Sequence, residues 1–162
     1  MICKRCLMDM TDPEIVFDNN GNCNHCKDAI KRLTQLPKSN KEKLSVLNKY
    51  VDIIKSSNTN PNYNCIIGLS GGLDSSYLAY QVKKLGLKPL AIHVDNGWNS
   101  ELSVRNINNI VSKLNIDFKT IVLNWNSFRD LQLSFLKSSV ANCESPTDHA
   151  ITASLFNEAK KK

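Results

Sequence analysis

The sequence predicts an α/β protein in which a parallel sheet follows a small cysteine-rich segment and a helical region. Short apolar runs alternate with helix-length amphipathic stretches from residue 65 onward, which is typical of βαβ units with right-handed crossovers. Two Cys-x-x-Cys pairs precede residue 27, where apolar periodicity is weak. We therefore expect three parts, residues 1–26, 27–60 and 61–162.

Length and composition fit one folded domain with a small addition. The chain has 162 residues, 41% hydrophobic and 22% charged, which suits a packed core. Its net charge of +6 is spread along the sequence except at residues 160–162, so we expect no nucleic-acid partner. No apolar run approaches the roughly 18 residues of a membrane span, and residues 1–10 lack a secretory signal. We expect a cytoplasmic protein with reduced thiols and no membrane contact.

The N-terminal segment has the spacing of a four-thiolate metal site. Cys3 and Cys6 form one Cys-x-x-Cys pair, and Cys23 and Cys26 form the second. Each pair can place two sulfurs on one ion, and a segment poor in apolar residues would gain much of its folding free energy from the metal. The pattern predicts a structural zinc site, with an iron–sulfur cluster or unliganded thiols as alternatives. His25 is expected to be a bystander.

The helical region is predicted from residue 27 to about residue 57 because its apolar residues recur at the spacing of one helix face. These residues are Leu44, Leu47, Val51 and Ile54. A polar, proline-containing connector follows at residues 56–64.

The predicted sheet region alternates strands and helices. The strands are the apolar runs at residues 65–69, 88–94 and 118–123. The helices are predicted at residues 74–85, 101–114, 126–139 and 147–161. Gly86 can end the first of these helices, and Cys65 is expected to be an inert core thiol.

The segment SGGLDSS, residues 70–76, follows the first strand and predicts an anion site. Two adjacent glycines let an anion approach the main chain, and the following helix offers unpaired N–H groups. The hydroxyls of Ser70, Ser75 and Ser76 can add donors. The segment has neither the Gly-Lys-Ser/Thr ending of a Walker loop nor the G-x-G-x-x-G pattern of a dinucleotide site.

Asp74 is the informative residue of this segment, because a carboxylate beside phosphate is repulsive unless a cation lies between them. We therefore expect Asp74 to bind Mg²⁺ together with phosphate oxygens. The alternative is that Asp74 or Ser75 caps the helix.

SGGLDSS after an apolar strand resembles the pyrophosphate loop of the ATP-pyrophosphatase, or PP-loop, superfamily, whose pattern is Ser-Gly-Gly-x-Asp-Ser. The resemblance implies a Rossmann-like fold of the adenine nucleotide α-hydrolase type. It also implies cleavage of ATP between its α and β phosphates and transfer of AMP to an oxygen atom. HVDNGW, residues 93–98, resembles the end of the second strand in that superfamily, which borders the nucleotide. A strand end with an Asn-Gly turn is the alternative for His93 and Asp95.

The chain as a whole resembles the N-acetyl sugar amidotransferase family. The likeness rests on the stretches CKRCLMD, NCNHC, GLSGGLDSSYLAY, VDNGW and PTDHAITASLF. It implies an enzyme that converts the acetamido group of an N-acetylated sugar to an acetamidino group during surface-glycan synthesis. It also implies ATP, Mg²⁺ and Zn²⁺ as cofactors, an ammonia-supplying glutaminase and its partner, and a further strand and substrate region after residue 162.

The resemblance implies roles for named residues. The ATP-binding set is Ser70, Gly71, Gly72, Asp74, Ser75, Ser76, His93, Val94, Asp95 and Asn96. Within it, the loop residues would hold pyrophosphate, residues 93–96 would flank adenosine, and Asp74 and Ser75 are the expected catalytic residues. Asp148 and His149 are candidates for a substrate loop, although a capped helix explains them equally well.

Two other functions stay open. A tRNA-thiolating enzyme shares the loop and commonly needs a sulfur-carrying cysteine, for which Cys143 is the candidate. A metal-stabilised nucleotide-binding module without turnover is the other. Release of pyrophosphate from ATP, measured with and without sugar and ammonia, separates the module from the enzymes.

Overall fold

A computed structural model describes residues 1–57 and 60–161 of the chain. Residues 58, 59 and 162, which belong to the predicted connector and to the terminal lysine run, lie outside the described residues. The chain divides into two compact units, Met1–Lys49 and Tyr50–Lys162. The boundaries predicted after residues 26 and 60 stay a prediction.

Two helices occupy the region predicted to be helical. Helix α1 spans Asn24–Thr34 and helix α2 spans Asn40–Ser56. A capping box begins α2: the Glu42 N–H donates to Ser39 Oγ at 3.1 Å, and the Ser39 N–H donates to the Glu42 carboxylate at 3.2 Å. This reciprocal pair starts a new helix, so the stretch predicted from residue 27 is divided in two.

The predicted apolar face of α2 is buried only in its second half. Val51 is buried and Ile54 packs against the same core cluster, which belongs to the second unit. Leu44 and Leu47 lie on the same helix, as their spacing predicts, but they are 57% and 42% exposed. Periodicity identifies a helix face, but only a neighbouring element can cover it.

The second unit is a parallel sheet with helices, which confirms the α/β prediction. Its strands are β1 (Cys65–Gly68), β2 (Pro89–Asp95) and β3 (Asp117–Val122), in the order β1-β2-β3. Its further helices are α3 (Leu73–Lys84), α4 (Glu101–Leu114), α5 (Trp125–Lys137) and α6 (Ser145–Ala159). In the parallel register Ile67 pairs with Ala91, and Ile92 pairs with Lys119.

The position of each strand explains its sequence. Strand β2 lies between the other two, and its first five residues are buried, which accounts for the continuous apolar run. Strand β3 is an edge of this sheet, and half-buried Phe118 and Ile121 are separated by exposed residues. The core beside the sheet includes Ile67, Leu69, Ala79, Val82, Leu87, Ala91, Ile107 and Ile116.

Helix α3 ends in a Schellman motif built on Gly86. This glycine has a φ of +73°, and its N–H donates to the Lys83 carbonyl at 2.9 Å. The Leu87 N–H donates to the Val82 carbonyl at 3.2 Å. These are the two bonds of the motif, so the prediction that Gly86 ends this helix is confirmed.

Helix α6 is joined to β3 through Glu158, which is 4% exposed. Its carboxylate accepts hydrogen bonds from Lys119 Nζ at 2.7 Å and from Lys161 Nζ at 2.8 Å. The bond from Lys119, followed by that from Lys161, lowers the pKa of Glu158 to about 2. A buried carboxylate paired with two lysines is therefore ionised wherever the protein is folded above that pH.

No helix within residues 1–57 and 60–161 is long and apolar enough to cross a membrane.

Candidate nucleotide site and metal centre

The loop at residues 70–76 leaves the sheet at the carboxyl end of β1. The Leu69 N–H donates to the Ile92 carbonyl at 2.8 Å, which extends the pairing of β1 with β2 by one residue. Leu69 is buried and Ser70 is exposed, so the chain passes from the core to the surface within one residue. The sheet therefore holds the residue from which the loop begins.

Gly71 is required by both its conformation and its surroundings. Its φ is +78°, and an added Cβ would lie 2.3 Å from the main-chain oxygen of Ser103 in α4. Asn106 of the same helix donates from Nδ2 to the Gly71 carbonyl at 3.1 Å. The loop is thus held against α4, and no other residue type fits at this position without a shift of main chain.

Gly72 is free of both constraints. It is the N-cap of α3 with a φ of −79°. An added Cβ would meet only Ser70 Oγ at 3.5 Å, which is an ordinary contact. The folded chain therefore has room for a side chain here, and the lack of one leaves the main chain open to a ligand.

The serine hydroxyls brace the loop. The Ser70 N–H donates to Ser75 Oγ at 3.2 Å, and the two Oγ atoms are 3.0 Å apart. Ser76 Oγ donates to the Gly72 carbonyl at 2.6 Å. These bonds join the two ends of the loop, so its shape does not depend on a bound ligand.

The first turn of α3 offers main-chain donors. In the described part of the chain, the N–H groups of Leu73, Asp74 and Ser75 donate to no protein group. They lie at the positive end of the helix dipole, next to the glycine that has no side chain. Three such N–H groups can bind an anion such as phosphate.

Asp74 is exposed in this first turn. The N-cap is Gly72 and has no side-chain cap bond, so neither Asp74 nor Ser75 caps the helix as the alternative interpretation required. Asp74 makes no side-chain hydrogen bond to the described residues. One carboxylate next to an anion site fits the preference of Mg²⁺ for one or two carboxylates with phosphate oxygens, and its role as the magnesium ligand stays a prediction.

A cavity of about 530 Å³ opens beside the loop, which is in the size range of small-molecule sites. It brings together predicted site residues from both strand ends: Ser70, Ser75, His93, Val94 and Asn96. Five other predicted residues are not part of its described lining: Gly71, Gly72, Asp74, Ser76 and Asp95. The cavity thus lies at the carboxyl edge of the sheet, where parallel sheets bind ligands.

His93 supplies an acceptor to the cavity wall. It is 8% exposed, and its Nδ1 lies 3.0 Å from the Leu69 carbonyl oxygen. Because a carbonyl oxygen only accepts, Nδ1 must carry the hydrogen. Nε2 is buried and has no partner among the described residues, so in the neutral ring it can accept a bond from a ligand hydroxyl or amino group.

Asp95 and Asn96 build the turn after β2. Asp95 Oδ1 accepts from the Gly97 N–H at 2.9 Å and from Asn99 Nδ2 at 2.7 Å. Asn96 lines the cavity and donates from Nδ2 to Thr147 Oγ1 at 3.4 Å. The turn interpretation therefore holds for Asp95, and its contact with a nucleotide stays a prediction.

The late motif begins α6 at Ser145, two residues earlier than predicted. Asp148 and His149 are exposed and are not part of the cavity lining, so their role in a substrate loop stays a prediction. The cavity is instead lined by Thr147 and Ile151, which are four residues apart on one helix face.

Several cavity residues were missed by sequence interpretation. They are Trp98, Asn99, Ser100, Ser103, Thr147 and Ile151. Trp98 lies in the stretch HVDNGW, and Thr147 and Ile151 lie in PTDHAITASLF, but none of the three was singled out as a site residue. Asn99 and Ser100 directly precede α4, and Ser103 lies in its first turn.

The first unit brings its four N-terminal cysteines together, and their Sγ atoms all lie within 4.8 Å of one another. Cys3 and Cys26 are 3.9 Å apart, and Cys6 and Cys23 are 3.5 Å apart. Sulfurs at about 2.3 Å from a tetrahedral zinc ion would be about 3.8 Å apart. The four sulfurs therefore fit zinc.

Main-chain N–H groups point at these sulfurs. Arg5 and Cys23 donate to Cys3 Sγ at 3.4 and 3.3 Å. The Cys6 N–H, and then those of Arg5 and Cys23, lower the pKa of Cys3 to about 6 despite its burial. The sulfur of Cys6 is the largest of the causes that raise the pKa of Cys26 to about 12. Four adjacent sulfurs cannot all ionise without a cation, and a bound dication would remove that obstacle.

His25 lies outside this set, as expected of a bystander. Its Nε2 pairs with Asp12 Oδ2 at 2.7 Å.

The three-stranded sheet and the glycine loop define the class: the chain is a member of the PP-loop, or ATP-pyrophosphatase, superfamily. A family model described as queuosine biosynthesis protein QueC matches residues 64–155, and the chain belongs to that family. The match begins after the cysteine segment. The resemblance to N-acetyl sugar amidotransferases, which includes that segment, stays a prediction.

A solved structure supports the fold. The chain is similar to NMN synthetase from Francisella tularensis, with a TM-score of 0.50 and 24% identity over 70% of this chain and 48% of that chain. It is also similar to the NH3-dependent NAD synthetase from Campylobacter jejuni, with a TM-score of 0.49 and 21% identity over 74% of this chain and 52% of that chain. The chain thus spans about half the length of these proteins. A comparison with curated proteins finds no match.

Proposed function

We propose that this chain is the ATP-binding part of an enzyme that adenylylates the acetamido oxygen of an N-acetylated sugar. Pyrophosphate leaves, ammonia displaces AMP, and an acetamidino group is formed. The observation that carries the proposal is the set of free N–H groups at Leu73, Asp74 and Ser75, beside a cavity at the carboxyl edge of a parallel sheet. That arrangement can hold a phosphate chain next to a second substrate.

The chemistry explains why ATP is needed. An amide carbonyl resists attack by ammonia because its oxygen is a poor leaving group. Bond formation between that oxygen and the α-phosphorus of ATP breaks the bond to the β-phosphate oxygen, and AMP then serves as the leaving group. The protein contributes position and charge stabilisation rather than a nucleophile. The free N–H groups of α3 would hold the departing pyrophosphate, and Asp74 would hold Mg²⁺.

The cysteine segment supports the choice of acceptor. It lies outside residues 64–155, which the QueC family model matches, so that model does not account for it. The N-acetyl sugar amidotransferases, which the whole chain resembles, combine such a segment with the loop. Ammonia would come from a glutaminase and its partner.

A second candidate function follows from the family. The matched model is described as a queuosine biosynthesis protein, and an ATP-dependent step of that synthesis would use the same loop. Under this proposal the cysteine segment would be an addition to the family domain. The queuosine content of cells that lack the protein distinguishes this candidate from the first.

The geometry offers no support for tRNA thiolation. Cys143 is half-buried, and its main-chain carbonyl accepts a hydrogen bond from Gln132 Nε2. Its side chain is not part of the described cavity lining. Cys65 is in β1, where burial raises the pKa of its thiol, so it too is a poor sulfur carrier.

The experiment is an assay of pyrophosphate release from Mg·ATP, with ammonium chloride replacing the glutaminase. Free and nucleotide-linked N-acetylhexosamines are offered in turn, and amidine formation is followed by mass spectrometry. We expect release that needs both sugar and ammonia for turnover. Asp74→Asn should abolish it, whereas the matched exposed change Asp130→Asn should not. Release that no N-acetylated sugar stimulates would contradict the proposal.

A further inference from the structure

We propose that Trp98 and Trp125 form an aromatic platform that stacks against the base of the bound nucleotide. This inference rests on the proposed binding of ATP but not on the identity of the acceptor.

The two rings form an ordered pair at the protein surface. Trp98 is 64% exposed and Trp125 is 42% exposed. Their ring centroids are 5.4 Å apart and their planes meet at 69°, which is the edge-to-face arrangement that aromatic pairs favour. Trp98 also lines the cavity. A large apolar ring open to solvent in a cavity wall is a contact surface for a flat ligand.

The main chain fixes this pair before any ligand binds. Gly97 has a φ of +86°, and an added Cβ would lie 2.6 and 2.7 Å from Cε3 and Cζ3 of Trp125. The six-membered ring of Trp125 therefore lies directly on the Gly97 main chain. The Trp98 N–H donates to Asn96 Oδ1 at 3.1 Å, and the Gly97 N–H donates to Asp95 Oδ1. A surface held in place in this way loses little conformational entropy on binding.

The position of the platform determines which end of the nucleotide it contacts. The anion loop follows β1, Trp98 follows β2, and Trp125 begins the helix after β3. Because the strands lie in the order β1-β2-β3, the platform is on the side of the sheet away from the loop. Trp98 and Ser70 nevertheless line one cavity. A nucleotide in this cavity with its phosphates at the loop would place its base toward Trp98, against which Trp125 packs.

Stacking is the chemistry that such a surface offers to a base. Every base has a flat π face, so stacking alone discriminates little between adenine and guanine. Discrimination would require a hydrogen bond, and the buried Nε2 of His93 is an acceptor in the same cavity. The platform thus contributes affinity for a base, and hydrogen bonds from the rest of the cavity wall contribute specificity for one base over another.

The sequence offers a direct spectroscopic test, because Trp98 and Trp125 are its only two tryptophans. Trp125→Phe keeps an aromatic ring against Gly97 and leaves Trp98 as the sole indole. This variant is titrated with Mg·ATP and, separately, with magnesium tripolyphosphate, which has the phosphates but no base. We expect ATP to quench Trp98 fluorescence and tripolyphosphate to leave it unchanged. Equal responses to both ligands, or no response to bound ATP, would overturn the proposal.

Affinity gives the second test. By calorimetry, Trp98→Ala should bind Mg·ATP roughly 5- to 150-fold more weakly and tripolyphosphate with unchanged affinity. Tyr50→Ala, which removes an exposed ring outside the cavity, is the matched control and should change neither affinity. If Trp98→Ala weakens the binding of an N-acetylated sugar but not of ATP, the platform belongs to the acceptor and the inference fails. If wild-type protein binds neither ATP nor tripolyphosphate, the proposed function fails as well.

Discussion

The cysteine segment and the nucleotide loop are both candidate binding sites, but they are stabilised in opposite ways. The buried cluster of the first consists of Cys3, Cys23 and Cys26, with Ile15 and Phe17 packed against it. The second follows buried Leu69, directly after β1, and is held by α4. We therefore expect the first site to need a metal ion in order to fold, and the second to be folded before a ligand binds. Each of the following predictions tests this difference.

The largest effect is expected from metal removal. Because three of the four cysteines form the buried cluster of the first unit, a strong chelator should abolish amide-exchange protection in residues 1–49 and leave residues 65–122 protected. Metal analysis of reduced protein should give about one zinc ion per chain. Cys26→Ser should reproduce the chelator effect, and the change of exposed Cys6 serves as a milder comparison. Protection of residues 1–49 in metal-free protein would show that the two sites do not differ in this way.

The next effect distinguishes the two glycines of the loop. Gly71→Ala forces a Cβ to 2.3 Å from the Ser103 oxygen at a positive φ, so it should lower the free energy of unfolding by roughly 2–4 kcal/mol. Gly72→Ala has room and a negative φ, so its effect on stability should stay below about 1 kcal/mol.

The affinity for Mg·ATP is a second property that should distinguish the two glycine variants. The methyl group of Gly72→Ala lies beside the free N–H groups of α3 and should weaken Mg·ATP binding in a protein of normal stability. Urea unfolding and calorimetry of the two variants check both statements. Normal ATP affinity in Gly72→Ala would place the phosphates elsewhere.

Asp74→Asn should affect binding more than stability. Asp74 makes no hydrogen bond to the described residues, so its loss should change the melting temperature by no more than about 2 °C. Loss of a magnesium ligand should weaken Mg·ATP binding by roughly tenfold or more. Binding measured with and without Mg²⁺ checks the cause: in EDTA the variant should bind ATP at least as tightly as the wild type, because the carboxylate then only repels the phosphates. A drop in melting temperature with unchanged affinity would indicate a structural role.

The smallest effect concerns Glu158 in the second unit. The pKa of this carboxyl is lowered from 4.5 to about 2 by its bonds with Lys119 and Lys161. Its contribution to stability is therefore present above pH 4.5 and is lost as the pH falls toward 2. Glu158→Gln should be less stable than the wild type at pH 7, and the difference should shrink in acid. Acid unfolding followed by tryptophan fluorescence reports on this unit alone, because both tryptophans lie in it.

The sequence was informative wherever a local pattern determines structure. The apolar run before SGGLDSS predicted β1, and the amphipathic stretch after it predicted α3. The end of α3 at Gly86 was predicted correctly, because a glycine that adopts a positive φ is a local signal for the end of a helix. The cysteine spacing likewise predicted that four sulfurs lie together. Each Cys-x-x-Cys pair is local, and one turn-rich segment joins the two pairs.

The sequence was less informative wherever packing decides. The capping box at Ser39 and Glu42 was overlooked because the apolar spacing seemed continuous across it. Leu44 and Leu47 have the right period, yet nothing in the described chain buries them. Thr147 and Ile151 reach the cavity only because α6 packs along the sheet, which no short pattern reveals.

The contact between Gly71 and α4 has a consequence for the order of assembly. The residue that shapes the loop rests on Ser103 and Asn106, which the chain supplies only after it has completed β2 and begun the next crossover. A peptide that ends before α4 would contain the whole SGGLDSS motif. It would lack the contacts that hold Gly71 at its positive φ. The proposed anion site is therefore a property of two neighbouring crossovers rather than of seven consecutive residues.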